Sequence, residues 1–224
     1  MNADLNQTLQ SARKWLAIGT GVGIEAGARD LNVVVVRVRP RGAQILGALT
    51  IGNFREQPAS EWGSVYANFL AKLGAAHLSA VAILPRSEVT VRPVALPGIV
   101  KKDMEGALLF QLDSLHTYPD QDPVSGWARI GLPDSVLVGI ARRQTVDYYT
   151  TLFAEAGVKL MALTFSASVL YGASRLLSIP APDGVLALEE TDGQTEVYGE
   201  SGARGIFSAT IPAPSTALRS PSPW

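Results

Sequence analysis

The chain contains no cysteine and two histidines, His77 and His116. Thiolate nucleophiles, disulfides and zinc sites built from Cys or His clusters are excluded at once. Ser, His and Asp all occur, but no Gly-x-Ser-x-Gly elbow presents a serine, and neither histidine sits in a motif. His77 follows Gly74-Ala75-Ala76 at a predicted helix end, where a cation suits the dipole, and His116 ends another helix the same way. Glu189 and Glu190 are adjacent carboxylates at a predicted strand end, and a general acid and base there is the sharper reading of the pair. Gly23-Ile24-Glu25-Ala26-Gly27-Ala28 sets a carboxylate beside a glycine turn, either a phosphate-holding loop or a plain hairpin turn. Arg37, Arg39 and Arg41 alternate with Val38 and Pro40, so all three fall on one face of a strand. They form either a solvated edge that resists pairing or a surface for an acidic partner. Arg142-Arg143 opens a helix, where positive charge is unfavourable, which marks a candidate partner contact.

Charge narrows the classes further. The chain has 19 Lys and Arg against 20 Asp and Glu, a formal net charge of −1, so no nucleic-acid partner is expected. A hydrophobic share of 47% with 17% charged residues lies outside the disordered range. The 224 residues amount to about one and a half domains by the usual divisor. Residues 160–174 are uncharged but fall short of the roughly 20 apolar residues that span a bilayer. The start Met-Asn-Ala-Asp lacks the basic flank and apolar run of a signal peptide, so a cytoplasmic protein is expected. Residues 1–17 place Leu5, Leu9, Ala12 and Leu16 at helical spacing, with Arg13 and Lys14 on another face. That amphipathic helix would dock on its own domain or rest on a membrane surface.

The elements that must position these groups follow from periodicity. Strands are expected over 22–26, 31–39 and 44–51 as an antiparallel meander, with the run Val33-Val34-Val35-Val36 buried on both faces. Ser60 would cap a helix carrying Trp62, Val65, Tyr66, Phe69, Leu70 and Leu73, which Gly74 stops, and a short strand follows over 80–84. Next come a strand over 88–96, a helix over 102–116, a loop over 117–124 and strands over 126–132 and 135–141. A helix over 143–156, with Val146, Tyr149, Leu152 and Phe153 inward, and a strand over 158–163 complete that block. A helix over 166–177 and strands over 185–190, 195–199 and 205–211 close the α/β reading.

Four stretches carry a resemblance. Gly23-Ile24-Glu25-Ala26-Gly27-Ala28 stands where one family has G-I-D-x-G-S. Leu84-Pro85 and Leu96-Pro97 flank a strand, followed by Lys102-Asp103-Met104-Glu105. Ala141-Arg142-Arg143-Gln144-Thr145-Val146-Asp147-Tyr148-Tyr149 resembles A-R-K-x-x-V-D-x-Y, and Phe153-Ala154-Glu155-Ala156-Gly157-Val158 resembles L-E-x-A-G-L/V. In their order and spacing the chain resembles the PilM proteins of type IV pilus assembly, in the actin-like ATPase superfamily. More distantly, it resembles the GspL cytoplasmic domain of type II secretion. The resemblance implies an α/β, actin-like (RNase H-like) core subdomain at 18–85 plus 159–180. An inserted βαββαβ two-layer subdomain would occupy 86–158. Residues 184–211 would be a β-meander opening a second half that is otherwise missing, and 212–224 a disordered tail.

In that superfamily an Asp in the first turn orients Mg²⁺, and glycine turns grip the phosphates of ATP. Carried over, the vestigial nucleotide-binding positions are Glu25, Gly27, Ala28, Arg29, Asn32, Asp192 and Gly193. Each departs from the pattern or neighbours a departure. Glu25 is a methylene longer than Asp, and Mg²⁺ tolerates misplaced ligands poorly. Ala28 lacks a hydroxyl, and Asn32 stands for a lysine, leaving Arg29 as the nearby cation. Glu189 and Glu190 in the second turn would repel a triphosphate. Ile211-Pro212-Ala213-Pro214 replaces the family's next glycine turn. No ATP, Mg²⁺ or other cofactor and no catalysis are therefore expected. The resemblance implies a cytoplasmic scaffold, peripheral to the inner membrane through its partners, in a pilus or secretion platform. The N-terminal peptide of a PilN-like membrane protein would lie in a groove between core and insert, with Arg86, Arg92 and Arg142 as candidate partner-binding residues. Two other functions stay open: half of a nucleotide-binding switch completed by a second chain, and a self-associating homo-oligomer using strands 185–211 as an exposed edge.

Overall fold

The structure, a computed structural model, describes residues 18–118, 122–130, 135–176, 184–191, 194–200 and 206–212. The expected helix within 1–17, the pair Asp192 and Gly193, and the tail from residue 213 lie outside them. Strands β1 (Gly19–Ala26), β2 (Leu31–Arg39) and β3 (Gly42–Ile51) form the expected antiparallel meander. β4 (Ala80–Leu84) and β8 (Leu160–Phe165) add in parallel beside β1, giving the order β3-β2-β1-β4-β8. Helix α1 (Ala59–Lys72) links β3 to β4, and α3 (Arg143–Glu155) precedes β8.

One apolar cluster joins these elements. Trp62, Tyr66 and Leu70 of α1 and Tyr149 and Phe153 of α3 pack with Ile24, Val33, Val35, Ala80 and Ala82. Fully burying one such large side chain contributes about 1.5–3 kcal/mol. Trp62 meets Phe54 and Phe153 edge-on at 6.1 and 6.2 Å, the arrangement that ring quadrupoles favour. Gly63 lets the helices approach this closely, since a Cβ there would lie 2.2 Å from the Ala156 carbonyl oxygen.

The insert has its own core. β5 (Val89–Ala95), β6 (Pro123–Arg129) and β7 (Ser135–Arg142) form a sheet ordered β5-β7-β6, with α2 (Met104–Leu115) against it. Central β7 is buried on both sides: Val136, Val138 and Ile140 face Met104, Leu108 and Leu112, while Leu137 and Ala141 join the main core. The expected βαββαβ order holds element for element, but pairing divides it. β8 hydrogen-bonds to β4, and α3 buries Tyr149 and Phe153 in the main core, so both side with the five-stranded sheet. A third sheet, β11-β10-β9, is the meander of β9 (Val185–Thr191), β10 (Gln194–Glu200) and β11 (Phe207–Pro212). It is tied to α4 (Ser166–Leu176), because Ser166 meets Glu196 and Arg175 meets Glu200.

Several local expectations are corrected. Val33 and Val35 are buried, but Val34 and Val36 are half-buried, so only one face of β2 is sealed. Arg41 falls in the turn after β2 rather than in the strand. β2 is an interior strand, so Arg37 and Arg39 cannot protect an edge, and Arg37 donates instead to Thr20 Oγ1 on β1 (3.3 Å). The capping position of α1 belongs to Pro58, with Ser60 inside the first turn, where its carbonyl accepts from Ser64 Oγ. β6 begins at Pro123, within the expected loop, and β11 runs on to Pro212.

Candidate functional site

Two concavities lie around the ends of β4 and β8. The first is a cleft of about 460 Å³ at the ends of β1 and β4, bounded across by the third sheet. Arg55 and Arg86 supply its cations, and Glu25, Glu88 and Glu196 its carboxylates. The guanidiniums are already engaged. Arg55 lies 3.6 Å from Glu88, donates to Gly27 C=O (3.3 Å) and to the Tyr149 hydroxyl, and sits over the rings of Phe54, Tyr148 and Tyr149. The Tyr149 hydroxyl donates to Glu88 Oε1 (3.1 Å), and burial together with the Glu88 charge pushes its pKa up. Arg86 lies 3.5 Å from Glu196, whose Oε1 also accepts from Ser166 Oγ at 2.5 Å. Burial lowers the Arg86 pKa, and Glu196 opposes that shift.

The second concavity is a groove of about 540 Å³ between the insert and the core. One wall is β6 with part of β7, contributing Val124, Ser125, Trp127, Gly139 and Ala141. The opposite wall is β8, from Leu160 to Phe165, with Ser168 of α4. Among the described residues no charged side chain lines it. β6 and β8 are each the outermost strand of their sheet, so two strand edges border one channel. Met161, where the β4–β8 register shifts, is 69% exposed there. At the floor the Phe165 ring presses on Gly139, where a Cβ would lie 2.3 Å from the ring.

No protein-family model matches the sequence, and no curated protein does. Solved structures do match. The chain superposes on a PilM–PilN type IV pilus biogenesis complex with a TM-score of 0.65 at 19% identity, over 86% of its own length and 61% of that chain. On the cytoplasmic domain of EpsL, an inner-membrane component of the type II secretion system of Vibrio cholerae, the TM-score is 0.58 at 14% identity. That match covers 87% of this chain and 71% of the other. This is the actin-like fold, shared with PilM.

Within the actin-like fold, the first turn can be tested against Mg²⁺ and a triphosphate, and its residues do not fit them. Glu25 Oε2 accepts from Asn32 Nδ2 (3.1 Å), and Asn32 Oδ1 from Thr50 Oγ1 (2.8 Å). The Gly27 N–H, which would face a phosphate, donates to Asp30 C=O (2.9 Å). Arg29 donates to Asn53 Oδ1 (3.1 Å), so it braces the loop before α1. Ala28 lines the cleft and offers no side-chain hydroxyl. Among the described residues no group of acidic or histidine side chains could hold a metal ion. Glu190 is exposed on β9, and the side chain of Glu189 lies outside the described part.

The three candidate partner arginines separate. Arg86 is held inside the cleft, Arg92 is exposed on β5, and Arg142 is exposed at the start of α3 with its guanidinium over the Tyr118 ring (5.2 Å). Its neighbour Arg143 pairs with Asp122, which offsets the unfavourable helix dipole. His77 is exposed, and His116 Nδ1 accepts the Tyr118 N–H (3.1 Å) at the end of α2. Arg55, Glu88, Ser166 and Glu196 gave no signal as site residues in the sequence, and Tyr149 gave only that of an inward helix position. Glu196 and Glu200 alternate in a strand, a pattern that ordinarily points carboxylates to water. The groove between core and insert was expected from the resemblance, but none of the residues that line it was.

Proposed function

We propose that this chain is a non-catalytic scaffold of a type IV pilus or type II secretion inner-membrane platform. It works in the cytoplasm, peripheral to the membrane, and holds the N-terminal peptide of a PilN-like membrane protein in the groove between insert and core. The observation that carries this reading is the uncharged channel bordered by two strand edges. Extended apolar peptides bind such edges by backbone pairing, with alternate side chains in pockets. The likeness to a PilM–PilN complex supports the choice of peptide. The partly ion-paired cleft supports a role without ATP hydrolysis. Among the described residues no helix is long and apolar enough to cross a membrane, which agrees with attachment through a partner.

Calorimetry with a synthetic peptide covering the first residues of the PilN-like protein tests this. Binding in the micromolar range is expected, and Thr164→Arg, which sets a charge in the channel, should weaken it about tenfold or more. Equal affinity for parent and variant would show that the peptide lies elsewhere, and no binding to folded protein would end the proposal. Micromolar binding of Mg–ATP in the same instrument would favour the switch instead. Self-association has one observation in its favour: Leu186, Leu188, Phe207 and Ile211 are exposed on β9 and β11. Light scattering that stays monomeric across concentrations would remove it.

A further inference from the structure

We infer that the third sheet sets the width of the groove, acting through Arg86 and Ser166. This rests on the groove being the binding site and adds a control over it. Arg86 follows β4 and holds three bodies together. Its Nη1 donates to Val89 C=O at 2.6 Å, and Val89 both begins β5 and lines the groove. Its Nε donates to Ser208 Oγ (3.3 Å) and its Nη2 to Ser208 C=O (3.4 Å), both on β11, while Glu196 of β10 balances its charge.

Ser166 is the second joint. Its hydroxyl is bonded to Glu196, while the residue before it, Phe165, is the groove floor against Gly139. Leu84, paired with Phe165 across β4 and β8, lines cleft and groove alike. Glu196 therefore fixes one residue beside each groove wall. Withdrawing its carboxylate frees Arg86 from β10 and Ser166 from its acceptor, so the start of β5 and the end of β8 lose their common anchor. By linkage, an occupant that fits the anchored groove tightens the hold on the third sheet by the same factor.

The whole chain labelled with 5-fluorotryptophan tests this without any peptide. Trp127 lines the groove from edge strand β6 while packing on the insert's own core, and Trp62 is fully buried in the main core. With the four tryptophan resonances assigned by Trp15→Phe, Trp127→Phe and Trp224→Phe, these two report the insert-side wall and the core separately. In Glu196→Gln, which keeps the shape of the side chain, the Trp127 resonance should shift or broaden while Trp62 stays in place. Amide exchange at Val197 and Tyr198 should quicken about tenfold or more. Glu196→Ala should enlarge both effects; a displaced Trp62 resonance would mark that variant as misfolded, and Glu196→Gln would then decide alone. Faster exchange with an unmoved Trp127 overturns the coupling, as does no change in either. A Trp127 that follows Glu196 in a protein that binds no PilN-like peptide upholds the coupling and sinks the peptide reading.

Discussion

Gly139→Ala is the sharpest single perturbation of the joint between insert and core. The added Cβ would lie 2.3, 2.6 and 2.8 Å from three atoms of the Phe165 ring, whereas carbon atoms in contact need about 3.5 Å or more. The ring must move by about an ångström. Gly139 belongs to β7, the central strand of its sheet, so backbone pairing on both sides opposes retreat of the strand. The open direction for the ring is the groove. Overpacking of this kind costs about 1–3 kcal/mol, which lowers Tm by roughly 2–12 °C for a protein of this size. Urea denaturation followed by tryptophan fluorescence measures the loss. The double variant separates clash from strand propensity. Phe165→Ala alone removes a buried ring at a cost of about 3–5 kcal/mol, and in its absence Gly139→Ala should cost almost nothing. A non-additivity of about 1–3 kcal/mol is therefore expected between the two sites. A Gly139→Ala variant as stable as the parent, or strictly additive effects, would refute the packing argument.

Gly63→Ala should be more damaging than Gly139→Ala. Its Cβ would meet the Ala156 backbone at 2.2 Å, and no rotamer can relieve that; a loss of about 3 kcal/mol or more and little soluble protein are expected on expression. Gly172→Ala has the opposite sign, because this exposed glycine inside α4 has open space around it; a gain of about 0.5–1 kcal/mol should appear in thermal melts. Tyr66→Phe should also raise Tm, by removing a buried hydroxyl that has no partner in the structure. Burial pushes the Tyr66 pKa up to about 12, so the unfolded state ionises first as pH rises above its ordinary value near 10. The parent should therefore lose stability between about pH 10 and 12 more steeply than Tyr66→Phe, and parallel pH curves would contradict this.

Elements with a single dominant period were legible in the sequence. The α1 stripe of Trp62, Tyr66 and Leu70 repeats every four residues and is buried as read. Gly74 and Gly157 end their helices with φ of 66° and 71°, a backbone that glycine adopts without strain. Grouping was harder. β7 is apolar at nearly every position, which says that it is central but not which sheet owns its neighbours. α3 turned inward through Tyr149, whose hydroxyl needs Arg55 and Glu88, both distant in sequence. The cleft was hidden for a related reason. Arg55, Arg86 and Glu196 find partners between 28 and 122 residues away, and local patterning treats such residues as solvent-facing.

The match between α4 and β10 is one of two rulers with different divisions. Nine helical residues from Ser166 to Arg175 rise about 13.5 Å, and four strand residues from Glu196 to Glu200 about 13 Å. The marks coincide only at the two ends. Deleting one residue inside β10 would turn one of its two carboxylates to the opposite side of the strand, and adding one to α4 would swing Arg175 about 100° around the helix. Length changes in the connections on either side leave the scale intact. Among variants and relatives of this chain, insertions should therefore gather in the connections and stay out of these two elements, whatever their sequences have become.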